Sequence, residues 1–89
     1  MKGRRVYPRA DGRLYLQEGD YGFDALAGFW QVRPPRSYAG GIPKAEVTEH
    51  LDGTITVSSP ILHHDFDGDG NPMMWHGYLK HGEWREAKV

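Results

Sequence analysis

Glycine and proline interrupt this chain too often for a long helix to form. Twelve Gly and six Pro are spread through 89 residues, and both residue types disfavour the interior of a helix. A helical bundle is therefore excluded. Between these breaks, apolar and polar residues alternate over short runs, which is the pattern of half-buried strands. The sequence predicts a mainly β domain.

The first of two predicted hairpins turns at Asp52-Gly53. A two-residue turn would place Val57 opposite Thr48, whereas a three-residue loop places Val57 opposite Val47. The apolar Val47–Val57 pair favours the three-residue loop, with a bulge at Gly53.

The second predicted hairpin turns at His81-Gly82. A two-residue turn gives three favourable cross-strand pairs, since each joins opposite charges, two apolar side chains, or a guanidinium and a ring. These pairs are Lys80–Glu83, Leu79–Trp84 and Tyr78–Arg85. Together with residues 13–18, where two leucines alternate with polar residues, the pattern predicts five or six short antiparallel strands. They would form a small sandwich or a partly open barrel.

A short basic segment precedes this domain. Residues 1–12 form a basic N-terminal arm and residues 13–89 the single β-rich domain. A run of like charge usually faces water, although such an arm also suits an anionic partner. The basic residues in this region are Lys2, Arg4, Arg5, Arg9 and Arg13.

Composition excludes several classes of function. The net charge of -1 argues against a general nucleic-acid binder. The absence of cysteine excludes disulfides, thiolate zinc sites and cysteine nucleophiles. No apolar run is long enough for a membrane span or a signal peptide, so we expect a cytoplasmic protein. With neither a nucleophile elbow nor a phosphate-binding loop, the sequence points away from an enzyme.

Aromatic and basic side chains supply the candidate binding residues. Because Phe29 and Leu79 are expected to face inward, their neighbours Trp30 and Tyr78 are predicted to be exposed. An exposed ring beside a guanidinium suits an anionic ligand or a protein partner. The predicted ligand-binding residues are Trp30, Arg33, Arg36, Tyr78 and Arg85, and the Gly-rich loop of residues 36–44 would close on the ligand.

Histidines and an acidic loop suggest an alternative metal site. Asp65, Asp67 and Asp69 have the spacing of a calcium-binding loop, but His76 stands where that loop requires Glu. His64, Asp65 and His76 could instead bind a divalent metal as two imidazoles and a carboxylate. The competing interpretation is that these histidines simply lie on strands. No cofactor is expected in that case.

Residues 46–86 also resemble a family of small domains of unknown function from bacteria, phages and prophages. The resemblance lies in a Ser-Pro strand, a Trp-His-Gly-aromatic-Leu run and a closing Gly-x-Trp. In this sequence these are Ser58-Ser59-Pro60-Ile61, Trp75-His76-Gly77-Tyr78-Leu79, and Gly82 with Trp84. The resemblance implies a phage-type accessory protein that acts inside a bacterial host cell.

Three functions follow from these observations. The leading prediction is a non-enzymatic binding module for a host protein or a small anionic ligand, in host modulation or anti-defence. The alternative is a metal-binding protein, with hydrolytic activity as one form of it. A homodimer that covers exposed sheet edges is the third.

Overall fold

The computed structural model describes residues 1–87 and confirms the mainly β class. Nine short strands within these residues form three sheets around one core, and the described part of the chain contains no closed barrel. The first sheet has the order β1-β2-β3-β4, the second pairs β5 with β6, and the third has the order β7-β8-β9. The strands are β1 (Arg4–Arg5), β2 (Asp20–Asp24), β3 (Phe29–Val32), β4 (Gly40–Ile42), β5 (Val47–Glu49), β6 (Ile55–Val57), β7 (Ile61–Phe66), β8 (Pro72–Lys80) and β9 (Glu83–Glu86).

The number of strands exceeds the predicted five or six. The additional ones include β1 and β4, which have two and three residues. Segments this short carry no alternating pattern, so only their neighbours in space define them as strands. One pairing is also parallel, between β1 and β2. Among the described residues, no helix is long and apolar enough to cross a membrane.

Residues 13–18 do not form the predicted strand. Their leucines do alternate inward, because Leu14 and Leu16 are half-buried while Tyr15 and Gln17 are exposed. A strand also needs a sheet edge, and both edges of β2 are already paired, one with β1 and the other with β3. The segment therefore packs through its side chains without joining a ladder.

The basic N-terminal segment is integrated into the fold. Arg4–Arg5 form β1, and Lys2 bridges to Glu83. The main chain of Met1 exchanges hydrogen bonds with that of Trp84, at 2.8 and 3.1 Å. Residues 1–6 are therefore hydrogen-bonded to the rest of the domain.

The hairpin of β5 and β6 has the predicted register. Val47 lies opposite Val57 and Glu49 opposite Ile55. The main-chain N–H of His50 donates to the carbonyl of Thr54 at 2.8 Å and closes the loop. Gly53 has a φ of +88°, the left-handed conformation that the bulge requires and that glycine adopts without strain.

The hairpin of β8 and β9 also has the predicted register. Its three pairs are Lys80–Glu83, Leu79–Trp84 and Tyr78–Arg85. Leu79 and Trp84 lie in the core, and the indoles of Trp75 and Trp84 meet edge to face with centroids 5.4 Å apart. All three sheets contribute to this core. Its buried members are Tyr21, Trp30, Val32, Ile55, Val57, Ile61, Trp75, Leu79 and Trp84.

Candidate functional site

The sheet of β7, β8 and β9 has one face in the core and one in solvent. Side chains alternate along each strand, and residues paired across strands share a face. Ile61, Trp75, Leu79 and Trp84 define the inner face. We call the opposite side the outer face. Its residues are Leu62, His64, Phe66, Pro72, Met74, His76, Tyr78, Lys80, Glu83 and Arg85, all exposed except the half-buried His76.

The outer face is unusually apolar. Leu62, Phe66, Met74 and Tyr78 expose 56, 65, 59 and 46% of their surface. Single exposed apolar residues are common on proteins, but several on one sheet face indicate an interaction surface. This surface runs from the loop of residues 67–71 towards the turn at His81.

A groove of about 600 Å³ adjoins the outer face. It lies between β6 and the β8–β9 hairpin and is large enough for a small ligand or a few residues of extended peptide. The residues lining it are Thr56, Val57, Ser58, Tyr78, Leu79, Lys80, His81, Glu83 and Arg85.

Two cations in this groove have no ionic partner within residues 1–87. The described ion pairs are Arg4–Asp20, Arg5–Glu49 and Arg36–Glu86, none of which involves Lys80 or Arg85. Arg85 lies opposite Tyr78 in the register of β8 and β9. Among residues 1–87, however, its guanidinium stacks on no aromatic ring. The phenol, the guanidinium and the ammonium are thus available to a ligand. Among residues 1–87, Glu83 is the one carboxylate that lines the groove with them.

The main chain of β6 faces the same groove. The main-chain N–H of His50 donates to the carbonyl of Thr54, and that of Ser58 donates to the carbonyl of Glu46, both at 2.8 Å. Because hydrogen-bonded pairs alternate along an antiparallel ladder, the N–H and C=O groups of Ile55 and Val57 point away from β5. The carbonyl of Ile55 accepts the N–H of Gly82 at 2.9 Å. The corresponding groups of Val57 point towards the groove, where an extended chain could pair with them.

A stacked histidine pair fixes the rim of the groove. The rings of His50 and His81 lie 3.9 Å apart and are inclined by 9°. The hydroxyl of Thr56 accepts the main-chain N–H of His81 at 2.9 Å and shares a 2.7 Å hydrogen bond with Nε2 of His50. This hydroxyl therefore connects β6 to the turn at His81 by hydrogen bonds.

Tyr78 and Arg85 are the two predicted binding residues that line the groove. The expectation that Trp30 is exposed was wrong, because Trp30 is only 4% exposed. It lies on the same side of β3 as Val32, and both side chains belong to the core. Phe29, which was expected inside, is half-buried on the other side of the strand.

The other two predicted binding residues lie elsewhere. Arg33 donates from Nε to the carbonyl of Ser37 at 2.8 Å and from Nη1 to that of Leu16 at 3.0 Å, so it braces two loops. Arg36 forms a surface ion pair with Glu86 at 2.6 Å. The loop predicted for residues 36–44 contains β4, which gives part of it a fixed position on β3.

The three predicted metal ligands do not converge. His64 and His76 share the outer face, but Leu62 lies opposite His76, and Met74 lies opposite His64. Asp65 follows His64 directly, so strand alternation turns it to the inner face. Within residues 1–87, no group of three or more His, Cys, Asp or Glu residues could hold a metal ion.

The acidic loop is closed by its own hydrogen bonds. One carboxylate oxygen of Asp67 accepts the main-chain N–H groups of Asp69 and Asn71, both at 2.9 Å. The bond from Asn71 is the largest cause of a pKa for Asp67 below its ordinary value. These bonds account for the position of Asp67 without a cation.

The surroundings of His63 predict that the stability of the fold depends on pH. Its ring is half-buried beside Gly40, and its Nδ1 lies 3.2 Å from the carbonyl oxygen of Tyr38. Burial lowers the pKa of His63 below 6.5 and outweighs the opposing effects of Tyr38 and Asp65. The unfolded chain therefore takes up this proton at a higher pH than the native protein.

We expect the free energy of unfolding to fall as the pH drops through 6.5 towards the lower pKa of folded His63. His63→Gln should remove this contribution, and His76→Gln, on the outer face of β8, should retain it. Urea unfolding at about pH 7.5 and about pH 5.5 measures the difference. An equal pH dependence in wild type and His63→Gln would contradict the assignment.

The sequence contained an overlooked signal for the outer face. Leu62 and Phe66 alternate with histidines, and Met74 lies on the side of β8 opposite to Trp75. The predicted site included only aromatic and basic side chains, so these apolar residues were left out of it.

The fold and groove together define a small β domain with a solvent-facing sheet. Comparisons with protein-family models, curated proteins and solved structures find no significant match.

Proposed function

We propose that this chain is a non-enzymatic binding module that holds an extended acidic segment of another protein in the groove. The observation that carries the proposal is the placement of Lys80 and Arg85 beside Tyr78, without ionic partners within residues 1–87. Charge-assisted hydrogen bonds from such cations are among the stronger polar contacts available to a carboxylate.

The strand edge favours an extended segment over a compact anion. The N–H and C=O of Val57 can pair with a peptide main chain, as in β-strand addition. A peptide seated there would place alternate side chains towards Lys80 and Arg85. Its continuation would reach the apolar part of the outer face near Met74. Acidic and apolar residues in alternation therefore match the groove.

The resemblance to phage-type domains suggests the source of the partner. Under that resemblance the partner is a cytoplasmic protein of a bacterial host, and binding would serve host modulation or anti-defence. The alternative of a metal-binding protein has less support, because Asp65 lies on the opposite face from His64 and His76.

An NMR titration of the ¹⁵N-labelled protein with peptides tests the proposal. The probe is an acetylated peptide of alternating Glu and Val, and a Lys–Val peptide is its control. We expect the acidic peptide to shift the amide signals of Val57, Ser58, Tyr78 and Arg85. The double variant K80Q/R85Q should weaken binding by about tenfold or more. Arg36→Gln, which removes a cation outside the groove, should bind like wild type.

Three results would overturn the proposal. If inorganic phosphate shifts the same amides as strongly as the acidic peptide, the site binds a small anion. If neither phosphate nor the acidic peptide shifts them, or if the Lys–Val peptide shifts them equally, the groove is not an acidic-segment site.

A further inference from the structure

The strand β7 leaves one edge of its sheet unpaired within residues 1–87. It is the first strand in the order β7-β8-β9. The N–H of Asp67 donates to the carbonyl of Asn71 at 2.9 Å, continuing the β7–β8 register. By alternation, His63 and Asp65 bond to β8, and the main-chain groups of Leu62, His64 and Phe66 point outward. The N–H of Phe66 donates to Oδ1 of Asp65 at 2.8 Å, so this carboxylate has to release it when a second strand pairs here.

This edge has few of the features that prevent pairing. It has six residues, it contains neither proline nor lysine, and its outer side chains include Leu62 and Phe66. Asp65 is the one charged side chain of the strand, and an edge that exposes apolar side chains can pair with another strand. An open cleft of about 230 Å³ lies between residues 37–40 and residues 62–65, and the contact of this loop with β7 is made through the His63 side chain on the inner face.

We propose that β7 pairs antiparallel with β7 of a second copy, with His64 of each copy on the two-fold axis. A continuous six-stranded sheet would result from the two three-stranded sheets. The two-fold axis stands perpendicular to this sheet, so the outer faces of both copies lie on the same side.

The sequence of β7 selects this register. With His64 opposite itself, Leu62 of each copy lies opposite Phe66 of the other, and His63 lies opposite Asp65. Both apolar pairs are favourable, and each carboxylate faces an imidazole. Sliding by two residues in one direction brings Asp65 opposite Asp65, where like charges repel. Sliding the other way removes Phe66 from its apolar partner and sets His63 against His63.

The pairing also covers part of the exposed apolar surface. Leu62 and Phe66 would lie against each other across the new interface, and the Met74 side chains would flank them. Each groove stays open, because Tyr78 and Arg85 lie beyond Leu62 along the β7–β8 ladder. The dimer is therefore independent of the proposed peptide binding.

Single cysteines test the register, since the natural chain has no cysteine. In the dimer the two His64 Cα atoms would lie about 5.5 Å apart, a distance that a disulfide spans. Met74 is the matched control, because it lies opposite His64 on β8 and is 59% exposed. Its two copies would be separated by about 14 Å, three strand spacings.

We expect His64→Cys to form a covalent dimer on mild oxidation and Met74→Cys to form no covalent dimer. Sedimentation equilibrium of the unmodified protein should give twice the 10.1 kDa mass of one chain. Leu62→Lys should weaken association by about tenfold, whereas Met74→Lys should not. A monomeric unmodified protein, or equal cross-linking of both cysteine variants, would overturn the proposal.

Discussion

Gly77→Ala is expected to lower the free energy of unfolding by about 3 kcal/mol. A Cβ at this position would lie 2.6 Å from Cη2 of Trp75 and 2.9 Å from Cα of Glu86, and it would also contact the carbonyl oxygen of Arg85. Two of these contacts are with the main chain of β9, which cannot move without disrupting the β8–β9 pairing. The added methyl group therefore has to displace either a strand or a core indole.

Gly68→Ala is the control for this change. A Cβ at Gly68 meets no atom within 4 Å, and its φ is not positive. We expect its free energy of unfolding to stay within about 0.5 kcal/mol of wild type. Urea unfolding followed by circular dichroism measures both variants. Equal stability of the two would show that β9 does not approach Gly77 as closely as described.

Trp84→Ala is expected to lower the free energy of unfolding by about 4 kcal/mol. Trp84 is 2% exposed, packs edge to face on Trp75, and donates from Nε1 to the carbonyl of Gly19 at 2.9 Å. The substitution removes this packing and leaves a cavity between two sheets. It also removes one of the two donors to the Gly19 carbonyl, which keeps the main-chain N–H of Arg4 at 3.1 Å. A domain of this size has a total stability of about 4–13 kcal/mol, so the variant is expected to be largely unfolded at the lower end of that range.

Tyr78→Ala is the matched comparison for Trp84→Ala. Tyr78 lies on the adjacent strand β8, but its ring is on the outer face and 46% exposed. We expect the free energy of unfolding of this variant to fall by about 1 kcal/mol or less, mainly because the cross-strand pair with Arg85 is removed. Thermal unfolding measured by circular dichroism distinguishes the two. A loss of less than about 1.5 kcal/mol in Trp84→Ala would contradict the described core.

These stability differences make the functional experiments interpretable. Lys80, Arg85 and Tyr78 are exposed, so their substitution should change binding in the groove while the core stays intact. His64 and Leu62 are exposed in the same way, which separates an effect on dimer formation from an effect on folding.

Local sequence was sufficient for the two hairpins. Their registers depend on a few consecutive residues, because Gly53 permits the bulged loop and His81-Gly82 form a two-residue turn. Cross-strand pairs such as Val47–Val57 then follow directly. The same alternation correctly placed Tyr78 outside and Leu79 inside.

Local sequence was not sufficient where an element depends on a distant partner. Residues 13–18 alternate like a strand, but Arg4–Arg5 occupy the edge of β2 instead. Trp30 was predicted to be exposed from its neighbour alone, and the direction in which β3 turns its side chains depends on how three sheets meet. The predicted metal ligands failed to converge because the β7–β8 register sets Leu62 opposite His76.

The sequence by itself determined the β class, the two hairpin turns and the presence of aromatic and basic side chains near the C-terminal hairpin. Each of these depends on residues close together in the chain, where turn geometry and alternation act. Only the tertiary structure decided that Val57 of β6 and the following Ser58 face Tyr78 and Arg85 across one groove. Packing of the three sheets on a shared core brings these segments together, because burial of Trp75, Trp84 and their neighbours fixes the relative positions of strands that no local pattern relates.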